Sequence, residues 1–347
     1  MSTIDWRDPA RSDVLHFVMV DPNNLDEIYG DLEDVQLGST SLTWGWNADT
    51  VSSCGLSFLK GANYVPNAWI RVIHEVPAAG YARELGTYIP TAPTESLKGA
   101  RVVRLDLQSP LWGLKDDLLP ERFAVGRGGS LLAAMGRVLD RCSRPYVVCG
   151  AFDLKAPEAV VYDIGTSCLQ ILRDLAALTG NRLDLDGHGR VLIAPVPDHR
   201  TLTPAWTLDA DDPRSVIIEG SVSTETNLDE LPSRAIVVNG GYVGVADLGA
   251  DSPYSAQLRG YTRAVSVSDK AVASRAAAQR LARQYLDEAS LARLWKMQAL
   301  YFPARCGENV TFILDGEKHV CMIQSVDPLK LDSMTMTLTI REVNFNG

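Results

Sequence analysis

The pattern of apolar and polar positions divides the chain into β-rich end regions and a middle region with helical spacing. Up to residue 122, short runs rich in Trp, Ile, Val and Leu alternate with Gly, Pro and Asn. Such runs predict an antiparallel sheet or barrel. They are "SLTWGWN", "CGLSFLK", "AWIRVIHEV", "RELGTYIPTA" and "ARVVRLDLQS".

One of these runs, "WIRVIHE", is largely apolar on both faces of the predicted strand. A strand with this pattern is expected to be covered on both sides. His74 lies in it, and no residue nearby has the spacing of a metal ligand. We therefore interpret His74 as a buried strand residue rather than a ligand.

Two middle segments share a helical pattern and lie 37 residues apart. In each, apolar residues follow a glycine by four, seven and ten positions, which places them on one helix face. These residues are Leu132, Met135 and Val138 after Gly128, and Leu169, Leu172 and Leu175 after Gly165. Ser130 and Thr166 stand near the predicted helix starts, where hydroxyl residues act as N-caps. We interpret the segments as two helix–strand units, the second ending in a hairpin that turns at Asp186–Gly189.

After residue 215 the strand pattern returns and is interrupted by one long predicted helix over residues 268–290. Its alanines and arginines are good helix formers, and Ser266 or Ser268 is the expected cap. In the last run, Met334, Met336, Leu338 and Ile340 alternate with polar residues, which predicts a half-buried strand.

The stretch "AVGRGGSLLAAMGRVL" contains glycines and a serine at a predicted helix start. Such loops can bind phosphate through free backbone N–H groups. The dinucleotide motif would require a third glycine at position 131, where Leu131 stands. The stretch is better interpreted as a turn into a helix.

Catalytic and metal-binding motifs are not found, so no catalytic, cofactor-binding or metal-ligating residue is assigned, no cofactor is expected, and the protein is not expected to be an enzyme. The six cysteines form no CxxC and are interpreted as small buried residues. Whether Cys306 and Cys321 face each other across a hairpin is left open. Three tryptophans invite a sugar-stacking interpretation, although strand aromatics are more often core residues: Trp44, Trp46 and Trp112.

The charge balance restricts the classes of partner. With 33 basic and 43 acidic residues the net charge is −10, and the pI is about 5.0. A protein that grips nucleic acid over a broad surface needs clustered Lys and Arg instead. The first residues lack the pattern of a signal peptide and no window is apolar enough for a membrane span, so we expect synthesis in the cytoplasm.

In the order of these elements and in the residue pattern of three segments, the chain resembles the phage tail baseplate hub family, which is shared with contractile injection machines. The first segment is "RELGTYIPTAPTESLKGARVVRLDLQSPLWGLKDD". The second is the helix and hairpin "YDIGTSCLQILRDLAALTGNRLDLDGHGRVLIAPV". The third is "SRAAAQRLARQYLDEASLARLWKMQALYFPARCGENVTFIL", in which Glu308 stands where the family usually has Asp.

The resemblance implies an α+β, mainly β fold with two tail-tube-like antiparallel β-barrels, a small inserted α/β region and one long helix. The domains expected from it are an N-terminal extension (1–35), a first barrel-like domain (36–122), inserted helix–strand units (123–204), and a second barrel-like domain (205–347) that carries helix 268–290.

The resemblance also implies a structural role at the tail tip of a virion. A homotrimer would dock on the hexameric tail tube, contact distal tail, spike, fibre or tape measure proteins, and surround a channel through which DNA passes without specific binding. Two other interpretations stay open: a hexameric distal tail ring protein, and a tail component that binds the cell surface or degrades the cell wall.

Overall fold

The structure is a computed structural model. It describes residues 4–8, 11–46, 48, 50–96, 101–225, 231–239, 241–252, 254–268, 272, 274–289 and 293–343.

Strands dominate both ends of the described chain, and helices are concentrated in its middle. The N-terminal part forms β1 (Val14–Asp21), β2 (Asn24–Asp31), β3 (Ser41–Gly45), β4 (Ser52–Leu59), β5 (Trp69–Val76), β6 (Tyr81–Glu95) and β7 (Val102–Gln108). The middle part forms α1 (Pro110–Asp116), β8 (Phe123–Val125), α2 (Leu131–Arg141), β9 (Tyr146–Val148), β10 (Val160–Tyr162), α3 (Cys168–Thr179), β11 (Asn181–Leu185) and β12 (Val191–Pro195). The C-terminal part forms β13 (Trp206–Asp209), β14 (Ser223–Glu225), β15 (Arg234–Asn239), β16 (Tyr242–Asp247), α4 (Ala256–Arg259), β17 (Ala264–Ser268), α5 (Arg275–Ala289), β18 (Leu294–Leu300), β19 (Asn309–Leu314), β20 (Glu317–Lys330) and β21 (Thr335–Glu342).

Thirteen of the described strands form one sheet that joins the two ends of the chain. Its order is β14-β18-β21-β20-β3-β4-β7-β6-β5-β1-β2, with β19 beside β20 and β13 beside β19. The join is the antiparallel pair β20–β3, in which Val326 lies opposite Trp44. Leu42, Leu56 and Leu338 are buried in one shared core that receives side chains from both ends. The predicted mainly β α+β class is therefore confirmed.

Strand β6 connects two parts of this sheet by changing its partner. Residues up to Tyr88 pair with β5, whereas residues from Ile89 onward pair with β7. The strand pairing of the described residues gives an open path in which no closed barrel is found. The two tail-tube-like barrels and the four predicted domains stay predictions.

The predicted N-terminal extension contains two strands that the sequence analysis did not identify. Strand β1 pairs with β5 and with β2, which forms an edge of the sheet. The run "VLHFVMVD" is apolar enough to have indicated β1. Strand β5 is buried along most of its length, as its pattern predicted.

Helices α1, α2 and α3 share a second core with β8–β12, and we call residues 110–195 the insertion. Leu114, Leu139 and Leu172 lie fully buried in this core. The turn predicted at Asp186–Gly189 joins β11 to β12, which are antiparallel. On the other side of β12, β9 pairs with it in parallel.

A third core lies between α5 and the small sheet β16-β15-β17. Gly244 of β16 allows the close approach, because a Cβ there would lie 2.2 Å from the backbone carbon of Ala278. Gln279 of α5 binds the outer edge of β16: its side-chain amide donates to the Val245 carbonyl at 2.6 Å, and its carbonyl accepts from the Val245 amide at 3.2 Å.

The cap predicted for the long helix is wrong. Ser266 and Ser268 belong to strand β17, and α5 begins at Arg275. The Ala277 amide donates to the hydroxyl of Ser274 at 3.1 Å, which is the bond of an N-cap. Residues 269–271, 273 and 290 of the predicted helix lie outside the described residues.

Candidate functional site

The insertion is built from two halves with the same backbone plan, offset by 37 residues. We define the first half as residues 117–153 and the second as residues 154–190. Strands β8 and β10 pair antiparallel with Ala124 opposite Val161, which are equivalent residues of the two halves. An antiparallel pair centred on equivalent residues indicates an approximate two-fold axis.

Each half closes the helix start of the other with backbone hydrogen bonds. The amide of Leu131 donates to the Leu154 carbonyl at 3.0 Å, and the amide of Cys168 donates to the Asp117 carbonyl at 2.8 Å. The two donors are 37 residues apart in the sequence, and so are the two acceptors. The predicted pair of helix–strand units is thus present, and the two units are interlocked.

The helix caps follow the same offset, which corrects one prediction. Ser130 caps α2 by accepting from the Ala133 amide at 3.0 Å. The cap of α3 is Ser167, which accepts from the Gln170 amide at 3.2 Å, and not Thr166. Thr166 donates instead to a backbone carbonyl of the preceding turn.

The glycine-rich loop before α2 has its N–H groups occupied by the protein itself. The Gly128 amide donates to the Ala156 carbonyl at 2.8 Å and the Gly129 amide to the Gly126 carbonyl at 2.9 Å. The carboxylate of Asp153 accepts from the Ser130 hydroxyl at 2.7 Å, and this bond lowers the pKa of Asp153. An anion of the protein thus already occupies the helix N-terminus, which supports a turn rather than a phosphate site.

A groove of about 420 Å³ runs along the outer face of α2. Ser130, Arg137, Asp140, Tyr146 and Asp153 contribute its polar groups. The Ser130 hydroxyl donates to the Asp153 carboxylate and caps α2, and no histidine is among the described residues that line the groove.

The insertion also carries exposed large apolar side chains, one of which, Val148, lines the groove. Six of the sixteen large apolar residues that are exposed in the described chain belong to the insertion: Leu118, Val148, Phe152, Leu154, Val161 and Ile164. Clustered exposed apolar residues are a feature of protein–protein contact surfaces.

The hairpin of the second half anchors the insertion on the main sheet. A Cβ on Gly187 would lie 2.5 Å from Cβ of Glu84, so only glycine fits this close approach. The Gly187 carbonyl accepts from the Thr87 hydroxyl at 2.8 Å, and His188 Nδ1 lies 2.6 Å from a carboxylate oxygen of Glu84. Buried Arg71 of β5 donates to the carbonyls of Leu25 and His188, and burial lowers the pKa of its guanidinium.

A second anchor involves Trp46, one of the three tryptophans considered for sugar binding. The guanidinium carbon of Arg182 lies 3.2 Å from the centre of its ring, and His199 meets the ring edge-on. Trp46 therefore packs within the protein and has one face covered. Trp44 and Trp112 are half-buried, Trp44 against the main core.

His74 is completely buried, as a strand residue, and is paired with a carboxylate. Its Nε2 lies 2.6 Å from Oδ1 of Asp13, and its ring contacts Trp6, Tyr81 and Tyr301. Burial is the main cause that lowers the pKa of His74. The pair fixes the start of β1 to β5.

The cysteines do not all fit the interpretation as small buried residues, because Cys149 is exposed. Cys142 and Cys168, which are distant in sequence, come together beside Asp117, with their ligand atoms within 4.8 Å of one another. Burial raises the pKa of both thiols. Cys306 and Cys321 are free thiols, and Cys321 lies opposite Val310 and Glu342 in its sheet.

Structural comparison identifies the fold. No family model matches the sequence, and no curated protein matches it. A tail protein from Neisseria meningitidis MC58 is similar with a TM-score of 0.71 and 16% identity, covering 95% of this chain and 97% of that one. A 43 kDa tail protein of prophage MuSo2 from Shewanella oneidensis has a TM-score of 0.66 and 12% identity, covering 94% and 97%.

The chain has the fold of phage tail proteins. A component of the type VI secretion system from E. coli, which is structurally similar to the bacteriophage T4 tail proteins gp27 and gp5, matches with a TM-score of 0.52 and 12% identity. That match covers 90% of this chain and 74% of the other. The resemblance indicated by the sequence is thus confirmed at the level of the fold. None of the described helices is long and apolar enough to cross a membrane.

Proposed function

We propose that this protein is a structural component of a phage tail tip, the homotrimeric hub that joins a hexameric tail tube to the tip proteins. The observation that carries the proposal is the fold likeness over nearly the whole chain to two tail proteins and to a type VI secretion component that is structurally similar to T4 gp27 and gp5. The resemblance implies two tail-tube-like barrels in each chain, so three chains would give six similar units that match the symmetry of the tube.

The electrostatic balance supports a channel that DNA passes without binding. A net charge of −10 gives an overall repulsive field toward a polyanion. A strongly attractive lining would slow the passage of DNA. We infer that the hub surrounds this channel and acts without catalysis.

Copy number tests the assembly. Native mass spectrometry of the purified protein, together with imaging of tail particles that contain it, should give three copies per ring at the tip. Six copies per ring would identify a distal tail ring protein instead. A ring placed away from the tip would also overturn the hub proposal.

We infer that the insertion provides the attachment surface for spike, fibre, distal tail or tape measure proteins. Its exposed apolar side chains support this role. Ile164 lies on the insertion and is 66% exposed, whereas Leu258 of α4 lies elsewhere and is 65% exposed. Ile164→Asp should reduce incorporation of tip proteins into particles, and Leu258→Asp should not. Equal incorporation by both variants would remove the insertion from this role.

The wall-degrading interpretation makes a separate prediction. If the chain hydrolyses the cell wall, the purified protein should release dye from labelled host walls, and a carboxylate variant should abolish the release. We expect no release. The packing of Arg182 against Trp46 leaves at most one face of that ring for a sugar.

A further inference from the structure

Three helix ends meet at the cluster formed by Asp117, Cys142 and Cys168. Asp117 is the C-cap of α1, Cys142 is the C-cap of α2, and Cys168 is the first residue of α3. One carboxylate oxygen and two sulfurs lie within 4.8 Å of one another. Cys168 is fully buried, and Asp117 and Cys142 are partly exposed.

This donor set suits a soft divalent ion. Zinc is bound by thiolates at about 2.3 Å and by carboxylates at about 2.0–2.2 Å, usually in a tetrahedron. Two sulfurs on one tetrahedral zinc are then about 3.8 Å apart. Side-chain movements of about 1 Å are enough to bring the cluster to that spacing. The partly exposed side of the cluster leaves a fourth position for water.

Arg141 balances the charge of such a site. Its guanidinium donates to Sγ of Cys168 at 3.5 Å and to Oδ1 of Asp117 at 3.4 Å. Two thiolates and one carboxylate around a divalent ion carry a net charge of −1, which one guanidinium neutralises. Hydrogen bonds of this kind to metal ligands orient them and adjust their basicity.

The repeat shows that the fold does not require these residue types. The cluster takes residues from both halves, and the positions equivalent to Asp117, Cys142 and Cys168 by the 37-residue offset are Leu154, Thr179 and Leu131. At this equivalent place the start of α2 is built from leucines and the Ser130–Asp153 cap. Donor residues are therefore gathered at one of two equivalent places.

We propose that Asp117, Cys142 and Cys168 form a zinc site that ties α1, α2 and α3 together. Each thiol releases its proton to solvent when the metal binds. The bound ion stabilises the folded insertion, because the unfolded chain does not hold the three donors together. The site is structural and independent of the tail function.

Cobalt titration of the full-length, reduced protein tests the site, because Co²⁺ bound to thiolates gives a charge-transfer absorption band. The wild type should show this band with saturation at one ion per chain, and zinc should displace the cobalt and raise Tm. Cys142→Ser should abolish the band, and Asp117→Asn should weaken binding by at least about tenfold. The matched control is Cys149→Ser, which removes an exposed cysteine of the same insertion and should keep the band.

Three results would overturn the proposal. The first is the absence of a thiolate–cobalt band in the folded wild type. The second is a band that persists in Cys142→Ser or disappears in Cys149→Ser. The third is a disulfide between Cys142 and Cys168 in protein purified without reductant, shown by peptide mass analysis. Circular dichroism confirms that each variant is folded.

Discussion

The two halves of the insertion share one backbone plan but have different surroundings. In the second half, Leu169 is buried in the core and the hairpin at Gly187 is fixed to the main sheet. In the first half, the equivalent Leu132 lines an open groove, and the equivalent Gly150 has no atom within 4 Å of an added Cβ. The second half acts as the anchor, and the first half is presented to solvent. Two copies of one backbone plan can thus take different roles: one attaches the insertion to the main sheet, and the other exposes its surface to solvent.

The largest difference between the halves is expected at the helix face. Leu169→Ala leaves a cavity in the core and should lower the free energy of unfolding by about 3 kcal/mol. Leu132→Ala, at the equivalent position, removes a partly exposed side chain and should cost about 1 kcal/mol or less. Urea unfolding monitored by circular dichroism measures both. Equal losses of unfolding free energy in the two variants would contradict the view that the second half is the attached one and the first half the exposed one.

Substitution of the equivalent glycines Gly187 and Gly150 distinguishes the cost of a steric clash from the cost of backbone strain. Gly187→Ala places a methyl group against Glu84 and should cost about 2 kcal/mol through forced displacement. Gly150→Ala meets open space but has a φ of +65°, so it should cost about 1 kcal/mol of backbone strain. The same unfolding assay ranks the two. A larger loss for Gly150→Ala would show that the hairpin does not anchor the insertion.

The two serine caps should differ by a smaller amount. Ser167→Ala removes the hydroxyl that caps α3 and should cost about 1 kcal/mol. Ser130→Ala should cost less, because the Asp153 carboxylate still accepts from the Leu132 amide at 3.3 Å. Thermal unfolding of both variants, with the double variant Ser130→Ala/Asp153→Asn, measures this compensation. If the double variant loses no more than Ser130→Ala, Asp153 does not support the cap.

The smallest expected effect is a pH dependence confined to the first half. The hydrogen bond from Ser130 lowers the pKa of Asp153 from its ordinary value of 3.8. Asp153 therefore stabilises the folded state above that pH, and the contribution is lost as the pH falls through the lowered pKa. Asp153→Asn should flatten stability against pH below about 4, and Asp116→Asn, 37 residues earlier and just before the first half, should not. Parallel slopes for wild type and Asp153→Asn would contradict this prediction.

Local sequence patterns predicted where helices, strands and turns lie better than they predicted which elements pack against each other. The strand runs, the offset of 37 residues and the turn before β12 follow from periodicity and turn chemistry. The packing of α5 on β15 and β16 does not, because an amphipathic helix fits any apolar sheet face of suitable size. The run that forms β1 was a signal that the sequence analysis passed over.

The candidate sites were less predictable for a physical reason. Cys142 and Cys168 form no short motif, and only the packing of the insertion brings the end of α2 beside the start of α3. Ser167 and Thr166 are adjacent hydroxyl residues, so composition alone did not decide which one caps α3. The buried Arg71 depends on a hairpin that folds back over it, a contact that no local pattern encodes.

The side chain of Gln279 has a consequence for how this protein avoids unwanted assembly. By satisfying both backbone groups of Val245, it closes the edge of β16 to a strand from another chain. An incoming strand would have to displace this amide before pairing. Identical copies held side by side are thus protected from pairing through β16 into an open β-ribbon.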